Sequence, residues 1–240
     1  MNTVLFDLDG TLLPMDNALF VKLYFGALAE FGKASFGIAP QKLGGGVWEG
    51  TMAMLKNDGV VTNRERFWAT FCALVGDDVS MEEHESVFEE FYRTDFEAAR
   101  GATELNAAAR MSIDVLREKG YTLALATNPV FPPVAVERRL SWAGLSYADF
   151  AHVTTYDNAS FCKPNPNYFK NILALLGKRP EECLMVGNDV YDDLGALEAG
   201  LDVYLVTDCL INEKNLPIEG LKQGSLADFY EYVKGLPQAE

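Results

Sequence analysis

Two patterns of apolar spacing alternate along the chain. Short apolar or β-branched runs end in polar residues at Val4 to Asp7, Tyr121 to Asn128, Val153 to Thr155, Cys183 to Asp189 and Val203 to Asp208, with helix-like spacing between one run and the next. The alternation predicts an α/β fold, a parallel sheet with helices on both faces, because parallel neighbours need a crossover long enough to hold a helix. Four of the five runs end at or beside an Asp or Asn. Ligands of such sheets sit at the carboxyl ends of the strands, so these polar ends are expected to converge on one site.

The long gap between the first and second runs has a different texture. Phe20, Leu23, Tyr24, Ala27, Leu28 and Phe31 recur at helical spacing, as do Phe67, Trp68, Phe71, Cys72 and Val75, and again Phe88, Phe91, Tyr92 and Phe96. Thr62-Asn63-Arg64-Glu65 and Ser80-Met81-Glu82-Glu83 have the form of capping boxes at the starts of two of these helices. The spacing predicts an all-α insertion over 14–101, with 1–13 and 102–240 forming the α/β part. Its aromatic residues suit the core of a small bundle or the wall of a pocket for a flat ligand, and we read most of them as core. Gly44-Gly45-Gly46 reads as a connection between helices or as a hinge.

Charge narrows the partners. The 240 residues include 35 acidic and 20 basic side chains, a net charge of −15, the wrong sign for following a nucleic-acid backbone. Hydrophobic residues make up 49% and charged residues 23%, ordinary values for a folded globular chain. No stretch reaches the roughly 20 apolar residues of a membrane span, and no membrane partner is expected. Met1-Asn2-Thr3 leads into an apolar run without a basic segment, so a cytoplasmic location is expected. Cysteines 72, 162, 183 and 209 form no CxxC pair and only His84 and His152 exist, which predicts free thiols and no zinc site.

The chemistry starts at the first strand end, Asp7-Leu8-Asp9-Gly10-Thr11. Carboxylates at i and i+2 leave an extended strand on one side, and Gly10 permits a tight turn after them. They are either a chance decoration of an Asp-Gly turn or a pair that shares a cation. Two carboxylates this close stay ionised together when a divalent ion lies between them, and oxygen ligands without histidine favour Mg²⁺. Thr127 at the end of the second run, Lys163 before Pro164 and the acidic stretch Asn188-Asp189-Val190-Tyr191-Asp192-Asp193 each have a structural reading and a phosphate- or metal-binding one.

In this order the segments Phe6-Asp7-Leu8-Asp9-Gly10-Thr11, Leu123 to Asn128, Lys163-Pro164-Asn165-Pro166 and Val186 to Asp193 resemble the four motifs of the haloacid dehalogenase (HAD) superfamily. The resemblance implies a Rossmann-like parallel sheet carrying an inserted C1-type helical cap. It further implies that Asp7 is the nucleophile that forms an aspartyl-phosphate and Asp9 the general acid and base. Thr127, Asn128 and Lys163 would hold the phosphoryl group. Mg²⁺ would be bound by Asp7, the backbone carbonyl of Asp9 and Asp189, with Asp193 orienting the site and Asp192 a solvated acid at a helix start. Many members carry Asp directly after the Gly of the last motif, where this chain has Asn188, so the register of the metal ligand there is open.

The implied activity is Mg²⁺-dependent hydrolysis of a small phosphorylated metabolite by a monomer or homodimer. Asp9 argues against dehalogenation, which needs no proton donor. Phosphoglucomutase-like chemistry remains an alternative, as do phosphonatase-like chemistry, which would need one of Lys22, Lys33, Lys42 or Lys56, and a non-catalytic ligand-binding protein on the same fold.

Overall fold

The structure, a computed structural model, describes residues 1–35, 37–76 and 80–239. Strand β1 (Thr3–Phe6) is followed by four helices, α1 (Asn17–Ser35), α2 (Pro40–Leu55), α3 (Asn63–Val75) and α4 (Met81–Arg93), and by a 3-10 segment, Asp95–Ala102. Helix α5 (Ala107–Glu118) leads to β2 (Thr122–Leu125), α6 (Pro133–Trp142), β3 (His152–Val153), α7 (Pro166–Leu176) and β4 (Cys183–Gly187). Two single-turn helices, α8 (Val190–Asp193) and α9 (Gly195–Glu198), then precede β5 (Asp202–Val206), β6 (Lys222–Gly224) and α10 (Leu226–Gly235). The strands form one parallel sheet in the order β3-β2-β1-β4-β5-β6.

The sheet is covered on both faces, and its strand residues sort by parity. Val4, Phe6, Leu184 and Val186 join the apolar cluster on one face, whereas Leu5, Cys183 and Met185 join the one on the other. The first cluster runs without a break from β1 through Leu12 and Leu13 into Phe20, Tyr24, Phe71, Phe88 and Phe91 of the insertion. At the start of α3, the fully buried Asn63 ties the insertion to the sheet side. Its backbone N–H donates to the Ala159 carbonyl (2.8 Å) and its Nδ2 to the Pro129 carbonyl (3.0 Å).

Several expectations are corrected. Gly44-Gly45-Gly46 is not a connection; it lies inside α2, whose buried residues Leu43, Val47, Gly50 and Met54 keep helical spacing. A Cβ on Gly46 would stand 2.6 Å from Val75 and one on Gly50 2.6 Å from Phe67, so these glycines let α2 and α3 approach closely. The period through Phe96 is broken: α4 ends at Arg93, and Phe96 sits in the following 3-10 segment. Strand β6 has no apolar signal, because its Lys222 and Gln223 are exposed and only backbone pairing with β5 defines it. The capping box at Thr62 forms on both sides, and Ser80 accepts from the Glu83 N–H (3.3 Å). Among the described residues, no helix is long and apolar enough to cross a membrane.

Candidate active site

The strand order reverses at β1: β2 and β3 lie to one side of it, β4, β5 and β6 to the other. Such a switch point opens a crevice beyond the carboxyl ends of the strands. In register, Phe6 pairs with Leu125 on one side and Val186 on the other, so the residues following these strands emerge side by side. Asp7, Asp9, Thr127, Asn128, Lys163 and Asp189 all line one cavity of about 150 Å³, and Asp193 lies on the same wall.

Lys163 is the cation at the centre of this group. It comes from the loop after β3, is 3% exposed, and its Nζ donates to Asp7 Oδ1 (2.8 Å) and to Asp193 Oδ1 (2.7 Å). Burial alone would lower its pKa, but the Asp193 and Asp7 carboxylates outweigh that and hold it above the ordinary lysine value. Burial pushes the Asp193 carboxyl up, with Lys163 opposing. Asp193 Oδ2 also accepts the Asp189 N–H (3.0 Å), which fixes the turn into α8. That turn needs Gly187, since a Cβ there would overlap the Asp193 carboxylate.

Around Asp7 the contacts are polar and buried. Thr11 Oγ1 donates to Asn188 Oδ1 (2.9 Å) and lies 3.4 Å from Asp7 Oδ2, while Asn188 Nδ2 donates to the Cys209 carbonyl (2.8 Å). Gly10 adopts φ +83°, a left-handed conformation that favours glycine, and its Cα faces the Asn188 amide too closely for any side chain. Asn188 therefore braces the loop that carries Asp7 and Asp9. Thr127 is buried, and its carbonyl accepts from the Tyr168 hydroxyl (2.8 Å) and Thr154 Oγ1 (2.7 Å), so the end of β2 is held from behind.

The acidic stretch after β4 divides its work. Asp189 Oδ1 caps α8, accepting from the N–H groups of Tyr191 (2.8 Å) and Asp192 (3.0 Å). Asp192 is not the solvated acid expected from the sequence. It lines the cavity, accepts from Asn128 Nδ2 (3.0 Å), and has its pKa raised, first by burial.

Sequence reasoning missed Arg139, Asn188 as a brace, and Asn17, the first residue of α1, which lines the same cavity. Arg139 ion-pairs with Asp9 Oδ2. Burial raises the Asp9 pKa, Arg139 opposes and Asp7 adds to the rise. Asp9 Oδ1 is buried without a hydrogen-bond partner. An inward arginine could have been suspected from the spacing of Ala135, Arg139 and Trp142 on the buried stripe of α6.

Among the described residues no three His, Cys, Asp or Glu side chains converge closely enough to enclose an ion; the carboxylates stand around the cavity. The donor set nevertheless suits a hard divalent cation, since Asp7, Asp9 and Asp189 offer oxygen ligands in the cavity lining and, among the described residues, no histidine or cysteine lines it.

A family model for haloacid dehalogenase-like hydrolases matches residues 1–200, and the chain belongs to that family. It is 27% identical over 206 residues to pyrophosphatase PpaX of Bacillus cereus (strain AH820), covering 83% of this chain and 80% of the relative. A shorter match, 36% identical over 92 residues, is to the glyceraldehyde 3-phosphate phosphatase of Methanothermobacter thermautotrophicus, covering 38% and 39% of the two chains. In fold, the chain resembles the crystal structure of a HAD phosphatase from Thermococcus onnurineus, with a TM-score of 0.61 at 21% identity over 99% of this chain and 100% of the other.

Proposed function

We propose that the protein is a Mg²⁺-dependent phosphatase that hydrolyses a small phosphorylated metabolite through an aspartyl-phosphate on Asp7. The observation that carries this reading is the buried Lys163 ammonium held between Asp7 and Asp193 at the switch point of the sheet. A fixed positive charge beside the Asp7 carboxylate supports the reading, because an attacking carboxylate and a phosphoryl group would together bring further negative charge there. Membership of the hydrolase family and the likeness to relatives named as phosphatases support it.

In the first step a carboxylate oxygen of Asp7 attacks phosphorus, the bond from phosphorus to the leaving oxygen breaks, and Asp9 gives that oxygen a proton. In the second, Asp9 takes a proton from water as the water oxygen attacks phosphorus, and the bond to Asp7 breaks to release inorganic phosphate. Thr127, Asn128 and Lys163 hold phosphoryl oxygens throughout. Asp7, the backbone carbonyl of Asp9 and Asp189 would hold Mg²⁺, with Asp193 orienting the site through Lys163 and the Asp189 N–H. A Mg²⁺ ion held there would supply charge neutralisation among the carboxylates and phosphoryl oxygens.

The cavity of about 150 Å³ suits a phosphoryl group with a small leaving group. Phosphonatase chemistry is disfavoured, because none of Lys22, Lys33, Lys42 and Lys56 lines the cavity. The test is phosphate release from a panel of small phosphorylated metabolites, with Mg²⁺ and with chelator, by the parent and by Asp7→Asn. Release that requires Mg²⁺ and disappears in the variant is expected. Undiminished release by Asp7→Asn overturns the assignment of the nucleophile, and conversion of a phosphosugar to its isomer without free phosphate would indicate a mutase.

A further inference from the structure

Arg139 is the largest fully buried side chain of the molecule, 1% exposed, on a helix that supplies none of the proposed phosphate or metal ligands. A guanidinium out of water costs several kcal/mol unless it is paired, and its five donors usually find partners. This one is used sparingly. One terminal nitrogen pairs with Asp9 Oδ2, Nε reaches the Ala135 carbonyl one turn back at 3.4 Å, and Nη2 has no partner.

Its flat face lies on the Phe131 ring, with the guanidinium carbon 4.3 Å from the ring centroid, a cation–π contact in a dry setting. Phe131 in turn meets the aromatic residues of the insertion. Tyr24 of α1 and Tyr92 of α4 stand edge to face with it at centroid distances of 5.9 and 6.2 Å, and their hydroxyls are hydrogen-bonded to each other at 3.0 Å. A continuous line of contacts thus runs from two helices of the insertion, through Phe131, to the guanidinium and the carboxylate of Asp9.

We propose that Arg139 is a positioning residue for Asp9: it fixes the carboxyl rotamer by gripping Oδ2, and is itself held in place by Phe131 and the insertion's tyrosine pair. This rests on the phosphatase reading, in which Asp9 protonates the leaving oxygen. A guanidinium serving packing alone would have no reason to spend its charge on the one carboxylate whose placement decides proton transfer.

The test compares two substrates in Mg²⁺ buffer. An alkyl phosphate such as glycerol 3-phosphate needs its leaving oxygen protonated, whereas p-nitrophenyl phosphate expels a phenolate stable enough to leave without a proton. Misplacing Asp9 should therefore penalise the first far more than the second, since general acid catalysis contributes on the order of 10²–10⁴-fold. For Arg139→Gln the expected result is a kcat/KM loss at least tenfold larger on the alkyl than on the aryl substrate, because kcat/KM covers the steps up to departure of the leaving group and leaves out the second step, in which both substrates give the same aspartyl-phosphate. Arg139→Lys should recover part of the difference, and Phe131→Leu should show it in the same direction at about threefold.

Equal losses of kcat/KM on both substrates, or none, in variants that melt as a folded protein overturn the positioning role and leave the phosphatase reading standing. Should Arg139→Gln fail to fold, Arg139→Lys and Phe131→Leu carry the same comparison, and the absence of any leaving-group dependence in them overturns the proposal. A parent enzyme that releases phosphate from neither of these nor from any member of the metabolite panel overturns the phosphatase reading, and the proposal with it.

Discussion

At the carboxyl edge of the sheet, Asp7, Asp9, Asp189, Asp192 and the buried Asp193 line one cavity, with the Lys163 ammonium between Asp7 and Asp193 and the Arg139 guanidinium on Asp9. In the helical insertion that follows β1, Phe67, Trp68, Phe71 and Phe88 instead pack edge to face, with centroids 5.4–6.3 Å apart in the T-shaped pairs. The two regions bury side chains on opposite terms. Apolar burial and edge-to-face contact stabilise the insertion directly. Burying carboxylates raises free energy: burial first, and the neighbouring Asp7 carboxylate after it, push the pKa values of Asp9, Asp192 and Asp193 up. The lesson is that the insertion is built to hold together, and the sheet edge to hold charge in place for a reaction.

That contrast can be broken most forcefully at Asp7. Asp7→Asn is expected to lower phosphate release on the order of 10³-fold or more, while its stability stays within about 1 kcal/mol of the parent because Lys163 keeps Asp193. Steady-state kinetics beside a denaturant melt measure both, and a large stability loss would mean that the sheet edge is structural. In the insertion the balance should invert. Phe71→Ala, at a fully buried site, is expected to cost about 3–5 kcal/mol in a denaturant melt. Molecules that remain folded should keep the parent's turnover within a few-fold.

A smaller effect sharpens the account of how the insertion packs. Gly46→Leu forces a side chain against Val75 and Phe71 and should destabilise by about 1–3 kcal/mol, with a matching drop in melting temperature. Were Gly46→Leu neutral, the close approach of α2 and α3 would not depend on the glycine. The smallest effect concerns a carboxylate outside both regions. Burial alone would raise the Asp149 pKa, but Arg110, the Ser146 N–H and Arg117 outweigh it, so its folded value lies below the ordinary 3.8. Its contribution to stability is therefore complete above about pH 4 and is lost as the pH falls through the depressed folded value. Asp149→Asn should cost about 1–2 kcal/mol at pH 7, and melts repeated toward pH 3 should show parent and variant converging. A gap that stays constant with pH would exclude the ion-pair explanation.

Asp7, Asp9, Thr127 and Asp189 could be picked out in the sequence because each follows an apolar run, and a run's end tells where the chain leaves a sheet. Lys163 was legible only through its place between two such ends. Arg139 was not, because its partner lies 130 residues away and its place on the stripe of Ala135 and Trp142 hints only that it faces inward, not what it meets. Gly44 to Gly46 misled for a similar reason. Taken alone, three glycines favour a break, and only the proximity of Val75 and Phe71 explains why a helix runs through them.

By itself the sequence determined the alternation of strand and helix, the run of helices after the first strand, the capping box at Thr62 and the identity of the strand-end residues. Each depends on spacings of a few residues, set by backbone geometry and side-chain periodicity. Only the tertiary structure decided that Lys163 is shared between Asp7 and Asp193, that Asp192 faces the cavity, and that Asp9 is gripped by an arginine resting on an aromatic ring which the insertion supports. These pairings join residues far apart in the chain, and burial selects them: once water is excluded, a charge must find whatever opposite charge the packing of distant elements brings within reach.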